Sequence, residues 1–195
     1  MDHLHSEFIP DDSGKKPGGL RAALRELLET LLLAVLLFVA INTATARILV
    51  QSISMQPNLV EGDLVLVNRL AYRFGQPQHG DVIVFENPVN PDDVPYIKRV
   101  IGLEGDVVRI EAGVVYINDL PLSEPYLKTS TLQGGVYQVP PDGLFVMGDN
   151  RNNSSDSRQW GMVMEEKIIG RAELVYWPPQ DWQVLHIKTA IASSP

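Results

Sequence analysis

The chain has 195 residues, with 16 Lys and Arg against 24 Asp and Glu, four His and no Cys. A net charge of −8 argues against nucleic acid as a partner, because phosphate binding wants a basic face. After residue 46 the balance is 12 basic to 18 acidic residues, which argues equally against an anionic lipid surface held by charge alone; the missing cysteines exclude a thiol nucleophile, a disulfide framework and cysteine-ligated zinc.

Residues 1–26 read as an amino-terminal tail. Pro10, Asp11, Asp12, Gly14, Pro17 and the Gly18-Gly19 pair mark its first 19 residues as disordered. Leu27 to Ala46 is apolar apart from Glu29, Thr30, Asn42, Thr43 and Thr45. Twenty helical residues span about 30 Å, the hydrocarbon thickness of a bilayer. Lys15, Lys16, Arg21 and Arg25 precede the run and only Arg47 closely follows it, so the positive-inside rule puts the amino terminus in the cytoplasm and residues 47–195 outside. Three other readings stand beside the anchor, one of them an uncleaved anchor that merely looks like a substrate. A buried soluble helix would rarely be so uniformly apolar, and Ala44-Thr45-Ala46 has the Ala-x-Ala form of a removable secretory leader.

Past Arg47 come short runs rich in Val, Ile, Tyr and Phe, punctuated by Gly, Pro, Asn and Asp. They cover Asp63–Asn68, Asp81–Phe85, Tyr96–Ile101, Asp106–Glu111, Gly113–Asn118, Leu144–Met147, Ala172–Trp177 and Gln183–Ile187. Such spacing predicts an all-β barrel or folded sheet with many non-local pairings. Glu111-Ala112-Gly113 predicts a tight hairpin, and Leu122 to Pro141, mixed in Pro, Ser, Thr, Gly and Tyr, predicts an excursion out of the core sheet.

The chemistry-bearing residues begin with Ser52-Ile53-Ser54-Met55-Gln56-Pro57-Asn58-Leu59, directly after the apolar run. A serine hydroxyl there needs a base within hydrogen-bond reach. The candidates are His79, His186, the carboxylates and Lys98, Lys128, Lys167 and Lys188. Both histidines read as surface or edge residues, with no nucleophile-type sequence near them. Lysine acts as a base only when neutral, and burial against apolar groups lowers its pKa by the necessary 2 to 3 units, at about 3 to 4 kcal/mol. Lys98 has the most apolar setting of the four, between Tyr96-Ile97 and Val100-Ile101. Strand alternation puts Tyr96, Lys98 and Val100 on one face and Ile97, Arg99 and Ile101 on the other. Periodicity does not say which face is inside; arginine, however, stays protonated, so of the two cations only Lys98 can serve as a base.

The Ser52–Leu59 block, Tyr96-Ile97-Lys98-Arg99-Val100-Ile101-Gly102 and Gly148-Asp149-Asn150-Arg151-Asn152-Asn153-Ser154-Ser155-Asp156-Ser157-Arg158, in that order, resemble type I signal peptidases, membrane-bound serine proteases with a Ser/Lys dyad. The resemblance implies a mainly β fold of signal-peptidase type behind a single amino-terminal transmembrane helix. It implies a catalytic domain over 47–195 with a short insert around 106–140. Ser54 is then the nucleophile, Lys98 the base, the Ser54 N–H and the Ser52 hydroxyl the oxyanion hole, and Ser154 the residue that orients the lysine. Asp149, Asp156, Arg158 and Arg99 become ion-paired support. Val50, Met55, Leu59, Tyr96 and Ile97 would wall the pockets that admit small side chains. Asn58 stands where the family often has threonine, and Ile53 where some members have glycine.

The implied substrates are the signal peptides of exported preproteins, cut after small residues, at a cell membrane or a thylakoid membrane. The implied partners are those peptides and the lipid bilayer. Metal-ligand clusters, a Walker loop and a G-x-G-x-x-G turn are absent from the sequence, so no metal, nucleotide or other cofactor is expected. A self-cleaving Ser/Lys peptidase of the phage-repressor type shares the dyad logic but is soluble and carries a DNA-binding domain. A catalytically silent anchored β-domain that binds export substrates or partners is the alternative of another class.

Overall fold

A computed structural model describes residues 19–185 and the backbone of 190 and 191. His186, Lys188 and most of the tail lie outside the described residues. The chain divides into two compact units, the first ending at Ala40 and the second starting at Ile41.

Helix α1 spans Leu20–Ala44, and none of its residues is buried. Among the described residues it is the one helix long and apolar enough to cross a membrane. Its exposed apolar surface does not suit a buried soluble helix. It begins seven residues before the apolar run, because Arg25 and Glu29 form an i,i+4 ion pair at 2.7 Å and helix formers fill the turns between. It ends two residues earlier, because Thr45 and Ala46 already belong to a strand.

That strand, β1 (Thr45–Leu49), has no counterpart among the sequence-predicted runs. The others in chain order are β2 (Leu64–Asn68), β3 (Val82–Phe85), β4 (Tyr96–Gly102), β5 (Val107–Glu111), β6 (Val114–Ile117), β7 (Leu120–Ser123), β8 (Gly135–Gln138), β9 (Gly143–Met147), β10 (Val163–Met164), β11 (Ile168–Trp177), β12 (Gln183–Val184) and β13 (Ala190–Ile191). Among the described residues they form two antiparallel sheets. One has the order β1-β2-β11-β3-β4-β9-β10, with β12 on β11, and the other β13-β7-β6-β5-β8. The all-β expectation thus holds as two folded sheets. The one α-helix within them is a single turn, α2 (Ser157–Trp160).

The Leu122–Pro141 segment is not wholly an excursion. Its β8 pairs with β5 through Val107↔Gln138 to Ile110↔Gly135, completing the second sheet. Gly135 hides this strand in the sequence, and β7 is masked by Pro121. The hairpin at Glu111 forms as expected, with Glu111 opposite Val114 and both loop residues, Ala112 and Gly113, at positive φ. Asn118-Asp119 makes a second turn of the same kind between β6 and β7.

β4 is an interior strand, between β3 and β9, with both faces covered. Ile97 joins Val50, Met55, Leu59, Val65, Val67 and Val175 in one apolar cluster, whereas Ile101 packs with Val108, Ile117 and Phe145 in another. On the opposite face Val100 meets Ile83, Phe85 and Val146. Alternation therefore cannot decide between Lys98 and Arg99, because both are buried.

Candidate active site

Ser54 lies in the turn that follows β1. Val50 N–H donates to the Asp63 carbonyl and the Val50 carbonyl accepts from Gly62 N–H, which closes the loop leading into β2. The turn is held from the far side of the sequence. Asn150 donates its backbone N–H to the Ser54 carbonyl at 2.9 Å and its Nδ2 to the Ile53 carbonyl at 3.1 Å. Gly148 lets these segments approach: a Cβ there would stand 2.4 Å from the Ser54 carbonyl oxygen and 2.3 Å from Ser154 Oγ.

Lys98, on β4, donates from Nζ to Ser54 Oγ at 2.8 Å and to the Ile97 carbonyl at 3.0 Å. Ser52 Oγ is 3.2 Å from Ser54 Oγ. Lys98 is 4% exposed and Ser54 7%. Burial pushes the Lys98 ammonium down to about 8, against the upward pull of Asp156 and Asp149. At pH 7 roughly a tenth of the molecules then carry a neutral amine, whereas an unperturbed lysine offers on the order of one in a few thousand. The pair has what a serine nucleophile and a lysine base require: hydrogen-bond contact and an amine able to take a proton.

The two carboxylates are prevented from recharging the lysine because each has its own arginine. Asp149 binds Arg99 with two bonds, Nε to Oδ1 at 2.8 Å and Nη2 to Oδ2 at 2.6 Å, and Arg99 also donates to the Gly80 carbonyl. Tyr126 covers the guanidinium 4.0 Å from its ring centroid. Asp156 binds Arg158 from both oxygens at 2.7 Å and accepts the Gly148 N–H at 3.0 Å. All four charged groups lie in the interior, where a paired ion is tolerated and an unpaired one is not. Asn58, the departure from threonine, donates to Asp149 Oδ2 at 2.8 Å and to the Tyr126 carbonyl. A third buried pair, Arg151 with Glu124, had no sequence signal beyond the polar character of its loop.

Two expectations need correction. Ser154 makes no bond to Lys98; its Oγ is buried and has no partner among the described residues. The lysine is already occupied by Ser54 and Ile97, and Ser154 is packed instead against the Gly148 backbone. Met55 and Leu59 do not reach the surface of the site either. They are fully buried one layer behind it, in the cluster that backs Val50 and Ile97.

The cavity in front of Ser54 has a volume of about 390 Å³. Val50, Tyr96 and Ile97 line it, together with Ile48, Leu49, Ile53, Val94 and Pro95. Asn87, Asp93, Asn153 and Ser155 supply polar rim. Sequence reasoning missed the 93–95 segment, whose Pro-Asp-Asp-Val-Pro composition reads only as a turn. His79 is elsewhere, with Nε2 2.8 Å from Asp106, and does not line the cavity. No group of His, Asp or Glu among the described residues has the geometry of a metal site.

Comparison with known proteins agrees with this geometry. The family model described as signal peptidase, peptidase S26, matches residues 24–177. The probable signal peptidase I-2 of Synechocystis sp. is 38% identical over 185 residues, which cover 90% of this chain and 83% of that one. Signal peptidase I of Leptolyngbya laminosa is 42% identical over 163 residues, 80% of each chain. The chloroplastic thylakoidal processing peptidase 1 of Arabidopsis thaliana is 36% identical over 141 residues, 67% of this chain and 41% of that one.

Proposed function

The chain belongs to the signal peptidase family S26, and from that premise we propose that Ser54 is its nucleophile and Lys98 its general base. The protein is a membrane-anchored serine protease that cleaves signal peptides from preproteins. The observation that carries the dyad assignment is the 2.8 Å contact between Lys98 Nζ and Ser54 Oγ, made by an amine whose pKa burial has lowered to about 8.

The neutral Lys98 amine accepts the Ser54 proton as Oγ attacks the scissile carbonyl. The tetrahedral oxyanion is met by the Ser54 N–H and the Ser52 hydroxyl, and one such donor typically contributes about 10²- to 10³-fold in rate. Lys98 then returns the proton to the departing amine and draws one from the water that hydrolyses the acyl-enzyme. Val50, Tyr96 and Ile97, with Ile48 and Val94, wall the cavity with apolar branched and aromatic groups. They admit alanine at the positions one and three before the cut and exclude bulk by clash. The substrate lies extended and pairs its backbone with strand edges.

The tail before the apolar run stays in the cytoplasm, the apolar part of α1 up to Ala44 crosses the membrane, and the chain from β1 onward acts outside it, at a cell or thylakoid membrane; the lysines and arginines before the apolar run support this orientation. The bilayer confines enzyme and signal peptide to one surface and raises their effective concentration.

The test is cleavage of a purified preprotein carrying an Ala-x-Ala signal, in detergent micelles, by wild type, Ser54→Ala and Lys98→Ala. Wild type cuts after the second alanine and both variants lose the activity. Normal cleavage by either variant would remove that residue from its assigned role, and a wild type that cuts no such substrate would favour the silent binding domain.

A further inference from the structure

The arginines of the second unit sort into two sets. Arg99, Arg109, Arg151, Arg158 and Arg171 each face a carboxylate. Arg47, Arg69 and Arg73 are exposed, and none forms an ion pair among the described residues. In a unit with an excess of acids, leaving these cations unpaired is a departure from its own pattern, and two of them, Arg69 and Arg73, share one neighbourhood.

That neighbourhood is the carboxyl end of the anchor. Ala44 is the last residue of α1, and its carbonyl accepts the Arg69 N–H at 2.9 Å. Thr45 pairs with Asn68, and one 3₁₀ turn, Ala71–Arg73, carries Arg73. Arg69 and Arg73 line the same opening, about 420 Å³ in volume, together with Thr43, Tyr72 and Glu165. Tyr72 has given its hydroxyl to Asp81, so it contributes a ring wall, and Glu165 is the single carboxylate against two guanidinium groups. Phe74, next to Arg73, is 88% exposed.

We propose that the opening formed by Thr43, Arg69 and Arg73 binds the phosphodiester headgroup of an anionic phospholipid at the surface where α1 leaves the bilayer. Two guanidinium forks match phosphate oxygens, and an exposed aromatic beside them fits the headgroup layer. The acidic remainder of the unit repels free anions in solution, whereas a lipid headgroup is delivered at high local density by the bilayer itself. The proposal rests on α1 lying in a membrane, and its test reads lipid binding separately from proteolysis.

The full chain in non-ionic detergent is offered equal amounts of dioleoyl phosphatidylglycerol and dioleoyl phosphatidylcholine, and bound lipid is counted by native mass spectrometry. Each surface arginine contributes on the order of fivefold in affinity for an anionic headgroup, so phosphatidylglycerol adducts should exceed phosphatidylcholine adducts by about tenfold or more. In Arg69→Gln/Arg73→Gln the ratio should fall to near one, while cleavage of a preprotein in neutral micelles is unchanged. An equal ratio in wild type, or an undiminished ratio in the double variant, overturns the site. Glycerol 3-phosphate that binds wild type in lipid-free detergent as tightly as phosphatidylglycerol does overturns the lipid as its occupant and leaves a phosphate site. Wild type that selects phosphatidylglycerol but cleaves nothing supports the lipid site and counts only against the proteolytic reading.

Discussion

Lys98 should make the protein less stable at neutral pH than it would be without that charge. Its folded pKa is about 8 against an ordinary value of 10.5, with burial as the leading cause. Between these values the unfolded chain holds the proton that the folded chain has released, so the stability contributed by this group rises with pH across that window. At pH 7 both states are protonated and the folded state carries the full penalty, which a shift of this size sets at about 3 kcal/mol. Replacing Lys98 with Met removes the charge and keeps most of the volume. After allowing about 1 kcal/mol for the lost hydrogen bonds and imperfect packing, Lys98→Met should be more stable than wild type by about 2 kcal/mol at pH 7. It should lose that advantage as pH approaches 10.5. The assay is urea unfolding of both full chains in the same non-ionic micelles at pH 7, 8, 9 and 10, read as the difference between them, so that the anchor and all other titrations cancel. A difference that does not change with pH, or a variant less stable at every pH, would refute a buried, easily deprotonated lysine. The same pKa sets the rate: kcat/KM for preprotein cleavage should climb about tenfold per pH unit below 8 and level off above it.

Gly148→Ala puts a methyl group 2.4 Å from the Ser54 carbonyl oxygen, so it should cost about 1–3 kcal/mol and lower kcat more than tenfold, measured by urea unfolding and initial rates. Asp149→Asn leaves the Arg99 guanidinium charged and unpaired in the interior; a loss of about 3–5 kcal/mol is expected, with part of it recovered in Asp149→Asn/Arg99→Met. Ser52→Ala should reduce kcat by about 10²- to 10³-fold with KM little changed, seen in steady-state cleavage of a preprotein. Ala112 occupies a left-handed turn position at φ 48° that asparagine tolerates better, so Ala112→Asn should stabilise the β5–β6 hairpin by a few tenths to 1 kcal/mol without touching the rate.

Much of the fold was readable because its interior strands are short apolar runs with turn residues at both ends, as in Val82–Phe85 and Val114–Ile117. β1 escaped because Thr45 and Ala46 continue an apolar run without a break, so composition has no signal where helix becomes strand. β8 escaped because Gly135 and a polar alternation look like a loop, and only its partner β5 makes it a strand. In the site, the meeting of Lys98 with Ser54 was readable by chemistry and order, but depth was not. Met55 sits beside Ser54 in sequence, yet the turn aims it into the core, whereas Val94 and Pro95 reach the cavity from a segment that reads only as a turn. The pairing of Arg99 with Asp149 joins residues 50 positions apart and depends on β4 and β9 being neighbours, which no local pattern encodes.

Helix α1 runs into Ala44-Thr45-Ala46, an Ala-x-Ala sequence, and the fold ties that sequence into the sheet. Ala44 gives its carbonyl to Arg69, Thr45 and Ala46 are rungs of the β1–β2 ladder, and Ala46 packs on the apolar cluster beneath. A neighbouring copy that attacked this site would first have to peel five paired residues from β2. The ladder joins residues about 20 apart, so it can close before Lys98, 44 positions after Ser54, arrives to arm the serine. The motif is thus held by contacts nearer in sequence than those that bring Lys98 to Ser54, and its backbone is committed to a ladder and not presented as an extended free segment.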